Sequence, residues 1–139
     1  MIKKIFCAII LIVFSVSCKK DDSENDIPNV LVDLNVSISS NSSLNAVSGW
    51  AYVSGGSRGI VIYRHTLDEF FAMERHCPYL PANGAQVSVD SSGIFLKDLG
   101  CGSKFYMTDG GSVANGPATR PLKRYNATYD GVNTIHVYN

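Results

Sequence analysis

Alternation with period two governs the apolar residues of this chain. In "VLVDLNVSI" (30–38), Val32, Leu34, Val36 and Ile38 fall on one face. In "RGIVIYR" (58–64), Ile60 and Ile62 oppose Val61 and Tyr63. Val87 and Val89 share a face in "AQVSVD" (85–90), as do Ile135 and Val137 in "NTIHVYN" (133–139). Successive side chains of a strand point to opposite faces, so the pattern marks strands rather than amphipathic helices. Turn chemistry separates these runs: "SGGSRG", "PANG", "DSSG", "TDGG", "ANGP" and "YDGV". "VDSSGIF" and "TYDGVNTI" read as hairpins, the second with Asp130-Gly131 at its tip. Only "HTLDEFFAME" (65–74) has a helical look, and its clustered aromatics favour a strand over "EFFAME". With 139 residues and 45% apolar content, the chain suffices for one domain around a single core. The expected fold is all-β, with about nine or ten short strands in stacked antiparallel sheets.

The N-terminus has a different character. Lys3 and Lys4 precede an apolar run from Ile5 to Val16, too short for the roughly 20 residues of a membrane-spanning helix. Small residues Ser15 and Ser17 then lead into Cys18. The segment "SVSC" resembles the lipobox of bacterial lipoproteins, which implies cleavage before Cys18 and acylation of that cysteine. The following "KKDDSEND" resembles the acidic tether of lipoproteins that the Bacteroidetes send to the outside of the outer membrane. The expected organisation is a signal peptide at 1–17, lipidated Cys18 with a charged tether at 18–26, and a folded domain at 27–139. The expected address is the bacterial cell envelope, on the outer membrane, with the lipid bilayer as a partner through Cys18.

Charge narrows the partners further. Formal net charge is zero, and cleavage would leave ten basic and twelve acidic residues, a net of −2. No basic block or stripe stands out, so nucleic acid is not an expected partner. Of four cysteines, Cys7 would leave with the signal and Cys18 would take lipid, so the domain keeps Cys77 and Cys101.

Those two cysteines lie in the most specific part of the chain. From Arg58 to Asn139 the sequence resembles a Rieske domain. It runs "GIVIYRHTLDEFFAMERHCPYL", "GAQVSVDSSGIFLKDLGCGSKF", then "DGGSVANGPATRPLKRYNATYDGVNTIHVYN". The segment "CGSKFYMTDGGSVANGPATRPLKRY" follows the family's Gly-Ser and Gly-Pro-Ala landmarks almost step for step. The resemblance implies two stacked sheets and two loops that face one another.

In that family each loop supplies one cysteine and one histidine to a 2Fe–2S cluster. Aligned on the first loop, Cys77 stands at the cysteine position and Tyr79 at the histidine position. Aligned on "GSKF", Asp98 stands at the second cysteine position and Cys101 at the second histidine position. The extra loop-to-loop cysteines of some relatives would fall at Ala82 and Gly100 and are absent. A phenol is protonated near neutral pH and longer than imidazole, so Tyr79 replaces histidine in neither donor character nor reach. Asp98 offers a hard oxygen where soft or borderline donors are the rule. No standard cluster is therefore expected.

Three readings of the cysteine pair remain open. Facing loops and an exported address favour a Cys77–Cys101 disulfide, worth about 2–4 kcal/mol if unstrained. Two buried free thiols are the second reading. The third is a mononuclear metal on Cys77, Cys101 and Asp98, joined by His76 only if adjacent residues can converge.

Nothing else forms a catalytic constellation, so no enzyme activity is expected. His65 and His136 lack a second donor at metal spacing, Asp68-Glu69 and Asp21-Asp22 read as solvated charge, and "SGGSRG" has no phosphate-loop lysine. Trp50, Tyr52 and Tyr63 read as core or sheet-face aromatics. Tyr79, with Leu80 and Pro81, could crown the loop tip, where cluster-bearing relatives meet electron partners. The expected role is a binding or accessory module in a membrane complex. The alternative is an electron carrier with an atypical 2Fe–2S or mononuclear centre.

Overall fold

The computed structural model describes residues 26–139. The expected signal peptide, lipidated Cys18 and most of the tether lie outside the described residues. Ten strands form two antiparallel sheets. They are β1 (Asp33–Ser37), β2 (Trp50–Val53), β3 (Ile60–Arg64), β4 (Phe70–Glu74), β5 (Ser88–Val89), β6 (Phe95–Lys97), β7 (Lys104–Tyr106), β8 (Ser112–Asn115), β9 (Arg124–Tyr129) and β10 (Thr134–Tyr138). The larger sheet has the order β1-β10-β9-β4-β3-β2, and the smaller the order β5-β6-β7-β8. The all-β expectation, the strand over "EFFAME" and both hairpins hold.

The period-two pattern explains how the layers stack. Ile60 and Ile62 of β3 join Val36, Phe70, Ala72, Ile135 and Val137 in one core cluster. Val61 and Tyr63, on the opposite face, join Phe71, Met73, Leu96, Phe105 and Met107 in a second, beneath the small sheet. All five residues of β3 and of β4 are buried, because apolar layers cover both faces. In register, Leu34 faces Val137 and Val36 faces Ile135 across β1 and β10. The β9–β10 hairpin closes where the Asp130 carboxylate accepts the N–H groups of Val132, Asn133 and Thr134 at 2.8, 2.9 and 3.0 Å. Those three bonds hold that carboxyl down to about 2.

This stacking sets the candidate site. The first loop leaves the buried end of β4, and the second connects β6 to β7, so both emerge at the end of the second core cluster. Cys77 belongs to that cluster, with Tyr79 and Cys101 packed against it.

Candidate functional site

The first loop is a tight, hairpin-like excursion. Past Glu74, the Cys77 N–H donates to Ala85 O at 2.9 Å and the Val87 N–H to Arg75 O at 2.7 Å, while His76 bridges Gln86. Two backbone positions turn the chain between them: Leu80 at φ +49° and Gly84 at φ +61°. Pro81–Asn83 form a short 3-10 turn. Leu80 is 50% exposed, whereas Pro81 is buried and Tyr79 half-buried. Leu80, rather than Tyr79 or Pro81, therefore crowns this tip.

The second loop is organised by Asp98. Its Oδ1 accepts the Gly100 N–H at 2.7 Å and the Cys101 N–H at 3.3 Å, an aspartate-initiated turn that Gly102 completes at φ +80°. Asp98 is 2% exposed. Below it, the Ser103 N–H donates to Cys101 Sγ at 3.4 Å, and the Cys101 thiol lies 3.0 Å from Ser103 Oγ. Ser103 Oγ accepts the Ala118 N–H at 3.1 Å, which ties this loop to the Gly-Pro-Ala segment. Gly116 is glycine for a reason visible here: a Cβ at that position would come within 2.4 Å of Ser103 Cα.

The two loops converge as the sequence resemblance implies. Cys77 Sγ and Cys101 Sγ stand 4.0 Å apart, and these sulfurs and a carboxylate oxygen of Asp98 all lie within 4.8 Å of one another. Both cysteines are free thiols. The expected disulfide is not formed, since the separation is about twice the roughly 2.05 Å of an S–S bond. The physical reason is spacing: the loops hold the two sulfurs 4.0 Å apart beside the Asp98 carboxylate, with the Cys101 thiol directed at Ser103 Oγ. Burial pushes the Cys77 thiol well above its ordinary range, and its hydrogen bond to Asp98 pushes it further, against a Tyr79 N–H on the same sulfur. Burial alone would raise Asp98 too, but bonds from the Cys77 thiol, the Gly100 N–H and the Cys101 thiol and N–H outweigh it. Its carboxyl sits below the usual value.

His76 does not join this group. Its ring is 3% exposed, with Nδ1 2.8 Å from Ser57 Oγ and Nε2 2.8 Å from Pro81 O. A carbonyl only accepts, so Nε2 carries a proton and donates, and Nδ1 shares its hydrogen bond with the Ser57 hydroxyl. Both ring nitrogens are occupied, and the neighbouring side chains of Cys77 and His76 point apart. His65 stacks on Phe71 with ring centroids 4.5 Å apart, and His136 lies 2.7 Å from Asp33 Oδ1 on the outer face.

A second polar centre escaped the sequence reading. Glu74, fully buried, accepts N–H groups from Ser57 at 2.8 Å, Arg58 at 2.9 Å and His76 at 3.0 Å, and the Tyr125 hydroxyl at 2.7 Å. The "SGGSRG" turn thus cradles an anion, and the anion is the chain's own. Gly56, at φ +62°, leaves room for it: a Cβ there would lie 2.2 Å from Glu74 Oε2. The available signal was an acidic residue ending an otherwise apolar buried strand, next to a turn rich in N–H groups.

No protein-family model matches this chain, and no curated protein matches it in sequence. Among solved structures, it is similar to the cyanobacterial plasma membrane Rieske protein PetC3 from Synechocystis PCC 6803. The TM-score is 0.57 at 21% identity, over 76% of this chain and 99% of that one. The likeness establishes a Rieske-type fold. The donor set brought together here is two thiols and a carboxylate, which differs in number and kind from the two cysteines and two histidines of a Rieske centre. These residues do not fit that group. Among the described residues, no helix is long and apolar enough to cross a membrane.

Proposed function

We propose that this chain is a lipid-anchored module of the bacterial cell envelope that keeps a Rieske-type fold without a 2Fe–2S cluster. Its role is to bind a protein partner in a membrane complex, not to catalyse. One observation carries the reading. Where the resemblance puts four iron ligands, the loops bring together Cys77, Asp98 and Cys101, and the adjacent His76 is committed to Ser57 and Pro81.

Two further features favour the membrane and the partner. Asp26 pairs with Arg120 at 3.1 Å and borders a hollow of about 360 Å³ shared with Pro28, His76, Pro81 and Ala82. The described chain therefore begins beside the first loop. Seven residues lie between Cys18 and Asp26, eight steps with a reach of at most about 28 Å, so a lipid on Cys18 would hold the loop end close to the bilayer. That end carries Leu80 and Leu99, 50% and 83% exposed, as apolar anchors for a partner. The solved neighbour, by its name a plasma membrane protein, supports a membrane location.

The test is to express the full chain aerobically and under anaerobic, iron-replete conditions. Iron, acid-labile sulfide and the visible spectrum are measured on each preparation, with labelled palmitate incorporation alongside. The expected result is no sulfide, no visible bands, and label that disappears in Cys18→Ala. Two irons with two sulfides per chain would refute the cluster-less reading, and label retained in Cys18→Ala would refute the anchor.

A further inference from the structure

The geometry points to a mononuclear site for a thiophilic divalent cation, zinc first, held by Cys77 Sγ, Cys101 Sγ and an Asp98 carboxylate oxygen. This rests on the reading that the loops hold no 2Fe–2S cluster. Spacing is the first argument. A tetrahedral ion with metal–sulfur bonds of about 2.3 Å sets its two sulfurs about 3.8 Å apart. The observed separation is 4.0 Å, and the Asp98 oxygen lies within 4.8 Å of both. Closing the site around an ion takes a few tenths of an ångström between the sulfurs and up to about 1.3 Å for the carboxylate oxygen, which must come within about 3.5 Å of each sulfur, without a rearrangement of loops.

The surroundings are the second argument. A thiolate ligand is stabilised by donors on its sulfur, and Cys101 has one in the Ser103 N–H at 3.4 Å. Ser103 Oγ, 3.0 Å from Cys101 Sγ, already accepts the Ala118 N–H, which leaves its own proton free to point at a thiolate. Asp98 is held in place by the Gly100 and Cys101 N–H groups on Oδ1. Such second contacts fix ligand orientation in metal sites. Two sulfurs select against magnesium and calcium, which take oxygen ligands.

Loading conserves charge. The ion displaces one proton from each thiol, two metal–sulfur bonds form, two protons leave, and the net charge of the site is unchanged. Three protein ligands leave a fourth tetrahedral position for water or a donor atom from a partner. Cys101 is partly exposed, so that position is reachable from the loop end that carries Leu99.

The test uses the full chain with Cys7→Ser and Cys18→Ser in every arm, so that only the two domain cysteines remain. Zinc and cobalt(II) are titrated, with stoichiometry by mass spectrometry, the cobalt spectrum, and far-ultraviolet circular dichroism as a fold check. One equivalent of zinc is expected, with a thiolate-to-cobalt charge-transfer band. Cys77→Ser and Cys101→Ser should each weaken zinc binding more than about 100-fold and remove the band, and Asp98→Asn should weaken it at least about 10-fold. A folded protein that binds no zinc, or that binds it equally well in the serine variants, overturns the site and leaves the cluster-less reading standing. Two irons with two sulfides would overturn both. Should a serine variant unfold, protection of both thiols from alkylation by one equivalent of zinc in the parent decides: protection supports the site, and unchanged alkylation overturns it.

Discussion

The hydroxyl of Tyr125 donates to Glu74 Oε2 at 2.7 Å inside the core, joining the end of β4 to the adjacent strand β9. The same carboxylate holds the 54–59 turn and the second residue of the first loop, through the N–H groups of Ser57, Arg58 and His76. One buried anion thus fixes where the first loop starts. A hydrogen bond to a charged group contributes about 1.5–3 kcal/mol. Tyr125→Phe should therefore lower the unfolding free energy by about 2 kcal/mol in urea titration, with an unchanged slope. Glu74→Leu strands the buried His76 N–H and Tyr125 hydroxyl together with two part-buried N–H groups and should cost more, about 3–5 kcal/mol. Equal losses in the two variants would mean that the turn does not depend on the carboxylate.

The alkaline side of the stability profile follows from Tyr125 and Cys77, and the acid side from Asp98 together with Asp90 and Asp130, which are also shifted down. Tyr125 is pushed up by burial and then by Glu74, and Cys77 by burial and then by Asp98. Both hold their protons more tightly folded than unfolded. Their contributions are complete below the unfolded values, about 8.5 for a thiol and 10 for a phenol, and are lost as pH rises past each. Asp98 is shifted the other way, so its contribution is present above about pH 4 and fades as pH falls below that. The urea midpoint should therefore be flat from about pH 5 to 8 and fall on both sides. Cys77→Ala should remove the first alkaline step and Tyr125→Phe the second. An alkaline limb that neither variant alters would assign the loss to other groups.

Much of this was legible because period-two alternation is a local signal. Ile60 and Ile62 against Val61 and Tyr63 marked a strand and pointed to a half-buried one, whereas apolar layers cover it on both faces. Convergence of Cys77, Asp98 and Cys101 was legible only through the resemblance, since 24 residues and three elements separate the cysteines. Two things were not legible. Glu74 read as an ordinary strand end because its partners come from a turn 16 and 17 residues earlier and a tyrosine 51 later. The disulfide was expected from facing loops and an exported address. Neither says how far apart the loops will hold the two sulfurs, which is 4.0 Å.

Gly116 offers a sharp local test. At φ +112°, an added Cβ would meet Ser103 Cα at 2.4 Å and Ser103 N at 2.9 Å, all backbone that cannot swing aside. Gly93 is the control, at φ +70° with nothing within 4 Å of its would-be Cβ. Gly93→Ala should cost only the left-handed backbone strain, about 1 kcal/mol. Gly116→Ala adds a clash and should cost about 2–4 kcal/mol. Because Ser103 carries the Cys101 side of the site, Gly116→Ala should also speed alkylation of buried Cys77, whereas Gly93→Ala should not. Equal Cys77 rates in the two variants would show that the Gly-Pro-Ala segment does not support the second loop.

Leu80 sits in a left-handed conformation, φ +49°, while half exposed at the tip of the first loop. A non-glycine residue there carries about 1–2 kcal/mol of strain, and an exposed leucine regains little of it by burial. Glycine would remove the strain. Leu80→Gly should leave stability unchanged or raise it by up to about 1 kcal/mol, net of the entropy of a freer unfolded chain. If the loop end is the partner surface, the same variant should lose cross-linking to envelope proteins from native membranes, and Leu99→Ser should lose it too. Leu67→Ser, 68% exposed before β4, serves as the control. Cross-linking unchanged in Leu80→Gly and Leu99→Ser would remove the loop tips as the docking surface, whatever the stability measurement gives.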